Sequence, residues 1–348
     1  MCGIVGIYSL EGPPPHRELW PQLVNHLRHR GPDEGAWWAD GPFFLGHRRL
    51  SIIGLASGGQ PMASSDGQMV VVFNGEIYNY IELRAELEAK GHQFRTDSDT
   101  EVLLYGYREW GVELPQRLTG MFAFAIADRQ RRELFVARDR IGEKPLFLAR
   151  TGKYVAFASE LRPLAGLPDL PRAIAVEALG EYLLLNYVPG DGCLMAGVKR
   201  LLPGHWKLFS LSGERGGAYW SPPEAGAPED GRSPAACLEE WRERFDRAVR
   251  FTLRSDVPVG IFLSGGVDSS LVAESAMRQG RLNRAYCIDF EEESYSEYEG
   301  AKQVAARLGL SLERIRLTPK ALEDFSLLVE HADDPLADSS ALAVWTIS

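Results

Sequence analysis

Along the first half of the chain, apolar residues come in short runs closed off by glycine, proline and aspartate. Gly3–Ile7, Phe43–His47, Met69–Phe73, Phe122–Asp128, Glu133–Arg138 and Tyr154–Ser159 each read as a strand ended by a turn. Two stretches with helical spacing interrupt them. One is Trp20–Leu27; the other is Tyr80–Lys90, which sets Leu83 and Leu87 one turn apart and is stopped by Gly91 in a capping position. Thr100–Trp110 predicts a third helix. Many strands with few helices point to stacked sheets covered by helices, an α+β layered domain.

The pattern then breaks. Ser221–Pro234 has no apolar periodicity and cannot bury enough surface to order itself, so it reads as an exposed linker. This divides the chain into a first domain over 1–220, a linker over 221–235 and a second domain over 236–348. Beyond the linker, helices alternate with strands: helix Ala236–Leu253, strand Val257–Leu263, helix Ser269–Gln279, strand Arg284–Phe290, helix Ser296–Leu308, strand Leu312–Leu317 and helix Lys320–His331. Such alternation implies parallel strands with crossover helices, an α/β doubly wound sheet that takes ligands at the carboxyl ends of its strands.

Composition narrows the classes of function. A length of 348 residues fits two domains. A net charge of -10 with no long basic run argues against a nucleic-acid or anionic-membrane partner. Cys2, Cys193, Cys237 and Cys287 are widely spaced without a Cys-x-x-Cys pair, so neither structural zinc nor a disulfide framework is expected. With no charged-then-apolar leader and no membrane-length apolar run, the expectation is a soluble cytoplasmic protein.

Two motifs carry chemistry. Removal of Met1 leaves Cys2 with a thiol and a free α-amino group on one residue. These ionise near 8.5 and near 7.7–8.0 when unperturbed, so one can serve as nucleophile and the other as its base. Read alone, Cys2 is equally a small apolar residue opening a strand. The second motif, Ser264-Gly265-Gly266-Val267-Asp268-Ser269-Ser270, joins an apolar strand to a helix. Its glycines let backbone amides approach an anion, the helix start adds positive charge, and its serines can donate to phosphate oxygens. Asp268 suits such a site through a magnesium ion. No Gly-Lys-Ser/Thr follows, which separates the loop from the Walker pattern and points to release of pyrophosphate from ATP.

At this point the chain resembles known families. The heptad is similar to the pyrophosphate loop of the N-type ATP pyrophosphatases, and Cys2-Gly3-Ile4-Val5-Gly6 to the start of the class II glutamine amidotransferases. In this order the two resemble the glutamine-hydrolysing asparagine synthetase family. The likeness also takes in His29–Glu34, His47–Ile52, Phe73–Asn79, Gly120–Phe124, Arg138–Leu146, Ala158–Glu160, Ser255–Gly260 and Asp333–Ser340. It implies a four-layer αββα N-terminal-nucleophile hydrolase domain followed by a partial adenine-nucleotide-binding domain. The implied activity is ATP-dependent amidation of aspartate through a β-aspartyl adenylate, with ammonia from glutamine. The implied small-molecule partners are glutamine, aspartate and ATP with Mg2+, and a homodimer is the assembly to test.

Carried over residue by residue, the resemblance makes Cys2 the nucleophile, with the Asn74 side-chain amide and the Gly75 N–H as its oxyanion hole. Arg49 matches a residue that grips the glutamine α-carboxylate, and Glu76 and Asp99 match acidic residues near the substrate, with Asp99 pairing with its α-ammonium. Leu263 and Ile288 match positions enclosing adenine. Read without the family, Asn74-Gly75 is a turn, Arg49 a surface arginine, and Glu76 and Asp99 helix caps. Asp289 stands where the family commonly has glycine, and a carboxylate there is expected to crowd or repel nucleotide. Asp334 and Asp338 are candidates for magnesium or substrate contact. The family's second Gly-rich loop is missing before Ser348, which leads to the expectation that this chain hydrolyses glutamine but makes no asparagine. A β-lactam-forming or other carboxylate-amidating relative, or a non-catalytic nucleotide- or glutamine-binding remnant, remains an alternative.

Overall fold

The structure, a computed structural model, describes every residue except 225–230, 281, 283, 291, 319–322, 324, 336, 339 and 348. It separates into two compact units. Met1–Pro223 with Asp333–Pro335 forms the first, and Glu224–Ala332 with Leu336–Ser348 the second.

Two six-stranded sheets make up the first unit. One runs from edge to edge through Val198–Arg200, Phe147–Arg150, Tyr154–Ala158, Gly3–Ser9, Phe43–Arg49 and Glu34–Asp40. The other runs through Gly213–Ala218, His205–Ser210, Glu133–Arg138, Gly120–Asp128, Met69–Ile77 and Met62–Ala63. The sheets face each other across a core that includes Ile4, Tyr8, Phe43, Val70, Val72, Ala125 and Phe157. On the outer face of the first sheet, Val5, Ile7 and Phe44 pack with Leu23 and Val24 of helix Trp20–Asn25 and Leu164 of helix Leu161–Ala165. On the outer face of the second, Val71, Phe73 and Phe124 pack with Leu83 and Leu87 of helix Tyr80–Ala89 and Val102 and Leu103 of helix Glu101–Trp110. The result is the αββα layering. Because both faces of the central strands are buried, their sequences run apolar without alternation.

This layering sets the reactive end of the molecule. Gly3–Ser9 lies inside its sheet, paired with Phe43–Arg49 on one side and Tyr154–Ala158 on the other, so Cys2 stands at the start of a central strand. Buried His47 crosses between the sheets with Nε2 3.1 Å from Phe73 O. Burial pulls its pKa down to about 3, so the ring is neutral and donates that bond.

Among its described residues the second unit holds three parallel strands, Gly260–Phe262, Arg284–Phe290 and Ser311–Leu317, with Arg284–Phe290 in the middle. Helices Pro234–Thr252, Val267–Arg278 and Tyr298–Leu308 pack on them through a core of mainly small residues, among them Ala273, Ala276, Ala285 and Ala301. Its first helix takes two residues of the expected linker. Pro234 suits the first helical turn, and the Ser233 hydroxyl caps it by accepting from Ala236 N at 3.2 Å. Of the rest of that linker, residues 225–230 lie outside the described residues. Where Lys320–His331 was expected, Phe325–His331 is helical, and residues 320–322 and 324 lie outside the described residues. Among the described residues no helix is long and apolar enough to cross a membrane.

Candidate functional site

Cys2, Arg49, Asn74, Gly75, Glu76 and Asp99, drawn from four separate stretches of sequence, all line one cavity of the first unit. The segment carrying Cys2 is held at three points. Arg30 Nε donates to the Cys2 carbonyl at 2.9 Å, Ile4 N donates to Ser159 Oγ at 3.0 Å, and Leu50 N approaches Cys2 Sγ at 3.4 Å. Glu160 accepts from Arg30 at 3.0 Å and lies 2.9 Å from His29 Nε2, which fixes the arginine. Burial pushes the Cys2 thiol up, with the Leu50 amide opposing, so the resting sulfur keeps its proton and needs a base.

Asn74 and Gly75 sit on strand Met69–Ile77 beyond its short pairing with Met62–Ala63. Phe73 N donates to Gln60 Oε1 at 2.7 Å, and Ile77 N to Asp99 Oδ2 at 2.8 Å. In an antiparallel ladder every second residue points its N–H to the same edge, so the Gly75 N–H falls between those two, on the edge that faces the cavity. Gly75 has φ +152, and a Cβ there would lie 2.0 Å from Met121 O, so only glycine fits. Asn74 is fully buried; its Nδ2 lies 3.5 Å from Ser159 Oγ, and Oδ1 has no partner among the described residues. A buried amide left partly unsatisfied is costly unless something else meets it.

Arg49 is buried, with its fork engaged by Gly54 O at 2.7 Å, Leu55 O at 3.1 Å, Ile53 O at 3.4 Å and Glu34 at 3.2 Å. A ligand carboxylate would exchange with the longer of these bonds. Glu76 is a strand residue and Asp99 spends its carboxylate on Ile77 N, so neither caps a helix. Burial raises both, Asp99 to about 7, with the Glu76 charge adding to Asp99. Two desolvated carboxyls together favour a cation between them.

In the second unit, Ser264–Ser270 links strand Gly260–Phe262 to helix Val267–Arg278. Gly266 N donates to Ser264 Oγ at 3.2 Å, and Ser264 Oγ and Ser269 Oγ lie 3.0 Å apart. Ser270 Oγ donates to Gly266 O at 2.7 Å. Gly265 has φ +81, and a Cβ there would meet Gly300 and Ala301 backbone atoms at 2.6 Å. The loop therefore packs directly on the next helix. A cavity of about 400 Å³ at the carboxyl ends of the strands is lined by Leu263, Ser264 and Ile288, with Phe262 and Tyr286 beside them. Gly265, Gly266, Asp268, Ser269 and Ser270 lie along the loop that continues from Ser264. Asp268 is exposed, and no group of three or more metal-ligating side chains occurs among the described residues.

Asp289 does not line that cavity. Its buried carboxylate accepts from Ser296 at 2.5 Å and Arg314 Nε at 2.8 Å, and these partners hold its pKa down. The carboxylate expected to crowd nucleotide is thus engaged by Ser296 and Arg314. Asp334 belongs to the first unit, where it pairs with Arg200 and accepts from Leu194 N at 3.1 Å. Asp338 is exposed and accepts from Ser340 N at 2.8 Å. Sequence reasoning missed Gln60, Ser159 and Lys144 as members or supports of the first cavity. Ser159 and Lys144 lie within stretches that carry the resemblance, whereas Gln60 has no local signal.

A glutamine amidotransferase domain profile matches residues 1–220, and an asparagine synthase profile matches residues 240–348. The chain is 38% identical over 352 residues to glutamine-hydrolysing asparagine synthetase 1 of Bacillus subtilis (strain 168), covering 100% of this chain and 55% of that protein. It is 36% identical over 302 residues to asparagine synthetase 3 of the same organism, covering 84% and 48%. Against asparagine synthetase 1 of Arabidopsis thaliana the identity is 32% over 323 residues, covering 89% and 49%. The chain spans about half the length of these curated relatives.

Proposed function

The chain belongs to the glutamine amidotransferase family and is a homologue of the glutamine-hydrolysing asparagine synthetases, and from that premise we propose that its first unit hydrolyses glutamine to glutamate and ammonia with Cys2 as nucleophile. The observation that carries this reading is the meeting of Cys2, Arg49, Asn74, Gly75, Glu76 and Asp99 at one cavity. With Met1 in its wall that cavity measures only about 50 Å³, well below the several hundred of a typical ligand site. Removal of Met1 widens it and frees the Cys2 amine.

The amine takes the thiol proton as sulfur bonds to the glutamine side-chain carbonyl carbon, and the carbonyl oxygen gains negative charge. The Gly75 N–H and the Asn74 amide group face that oxygen and stabilise it. The proton passes to the leaving nitrogen, the C–N bond breaks and ammonia departs. Water then hydrolyses the thioester, releasing glutamate and restoring the thiol. Arg49 holds the α-carboxylate, while Asp99 and Glu76 hold the α-ammonium.

For the second unit we propose ATP binding, with phosphates at Ser264–Ser270 and adenine beside Leu263 and Ile288. Asp268 is the carboxylate available to a phosphate-bound Mg2+, an ion that needs only one or two such ligands and would neutralise phosphate charge. The reaction named for the relatives, glutamine-dependent synthesis of asparagine, is the proposed use of the ammonia, by way of a β-aspartyl adenylate.

A glutamine-analogue electrophile tests the first step. It is expected to label Cys2 and spare Cys193, Cys237 and Cys287, and Cys2→Ala is expected to lose glutaminase activity. Labelling of another cysteine, or full activity in Cys2→Ala, overturns the reading.

A further inference from the structure

The segment from Arg138 to Leu146 has no part in the mechanism above, yet it is fixed more firmly than a link between strands requires. Buried Arg138 spends its whole fork on carbonyls, donating to Lys144 O, Leu201 O and Gly142 O, each at 2.7 Å. Buried Asp139 accepts from Phe122 N at 3.1 Å, Glu143 N at 2.9 Å and Lys144 N at 3.0 Å. Between them, both backbone polar groups of Lys144 are pinned, and its side chain is directed into the wall of the cavity that holds Cys2 and Glu76.

Lys144 is only 6% exposed. Among the described residues its ammonium has Met1 Sδ, at 3.3 Å, as hydrogen-bond partner. A thioether is a weak acceptor, so a buried charge is set against the one residue that leaves on maturation. The charged groups around it are the carboxylates of Glu143, Glu76 and Asp139 and the guanidinium of Arg30, together with the chain's terminal amine. An apolar residue would fill the same place without the desolvation cost, so the charge itself calls for a role.

We propose that Lys144 is a positioning residue of the glutaminase site, whose positive charge keeps the amine exposed on Cys2 by loss of Met1 unprotonated and able to accept the thiol proton. This rests on the reading of Cys2 as nucleophile. A like charge nearby disfavours the protonated amine, and a base works best with its pKa near the working pH. The terminal amine of Met1 already lies below its ordinary value, chiefly through burial, with Arg30 and Lys144 adding to the effect against the opposing Cys2 and Asp33.

The test uses the full chain with Met1 removed and 15N-cysteine incorporated, so that the Cys2 amine is titrated directly by NMR. Its midpoint is expected to rise by about one pH unit in Lys144→Met and to stay at the wild-type value in Lys144→Arg. The acid limb of kcat/KM for glutamine moves with it, giving about a tenfold loss below the midpoint and little change above pH 9. Lys144→Gln is measured alongside, so that a folding defect in Lys144→Met does not decide the outcome. An unmoved amine midpoint in both neutral variants, or a loss of activity equal at every pH, overturns the proposal. If the midpoint moves as expected but wild type hydrolyses no glutamine, the charge effect stands and the reading of Cys2 fails.

Discussion

Asp99 is expected to be held in the fold at a cost, and Asp99→Asn measures it. The carboxyl is buried and raised from 3.8 to about 7, by burial first and then by the Glu76 charge, against the Ile77 amide. A folded-state pKa above the unfolded value means that the native state binds the extra proton. Stability is therefore intact below about pH 4 and is lost progressively as pH rises towards 7. Three units at about 1.4 kcal/mol each give about 4 kcal/mol as the full effect at pH 8. Asparagine carries no charge, and its carbonyl still accepts from Ile77 N; the weaker bond from Ser98, at 3.4 Å, sets about 1 kcal/mol against the gain. The variant should thus be about 3 kcal/mol more stable at pH 8 and up to about 1 kcal/mol less stable at pH 4, where only the lost bond counts, while losing glutamine binding. Urea unfolding followed by tryptophan fluorescence suits the measurement, because six of the eight tryptophans lie before residue 221. His47, depressed to about 3, destabilises both proteins alike as pH falls below about 6.5, so only the difference between them is diagnostic. A difference that does not change between pH 4 and pH 8, or a less stable variant at pH 8, would refute the reasoning.

Gly75→Ala should lower glutaminase activity by at least 10²-fold and destabilise the first unit by about 1–3 kcal/mol, because its methyl group meets Met121 O; circular dichroism melts and ammonia release check both, and a near-normal enzyme would show that the strand edge does not serve as described. Gly265→Val should abolish ATP binding in calorimetry, since its Cβ meets the backbone of Gly300 and Ala301, and Asp268→Asn should weaken it only when magnesium is present. Equal ATP affinity in wild type and Gly265→Val would place the nucleotide elsewhere.

Strands were legible where both faces are buried and hidden where neither is. Phe43–Arg49 and Met69–Ile77 lie between a sheet and a helix layer, so almost every position is buried and each strand opens on an apolar run that stands out. Glu34–Asp40 and Gly213–Ala218 are edge strands with mostly exposed residues, held by the ladder to a neighbour rather than by side-chain burial. Nothing in Gly-Glu-Arg-Gly-Gly-Ala announces a strand. The site divides in the same way. Asn74, Gly75, Arg49 and Asp99 were read only through their motif contexts, since each alone has an ordinary structural use. Gln60 fixes Phe73 from thirteen residues away and spans to Thr100 Oγ1 at 3.3 Å, a relation set by tertiary packing. The partners of Asp289, Ser296 and Arg314, come from later elements and are likewise set by tertiary packing.

The position of Gly3–Ser9 inside its sheet also constrains how the polypeptide can be extended. Both long sides of that strand are occupied by hydrogen-bonded neighbours, and Met1 and Cys2 just ahead of it line the cavity. If Cys2 is the nucleophile proposed above, an affinity tag or fused partner left ahead of it masks its amine and keeps Met1 in the wall of the cavity. Purification handles therefore belong at the other terminus, and a gene fusion that keeps this domain working has to place it first.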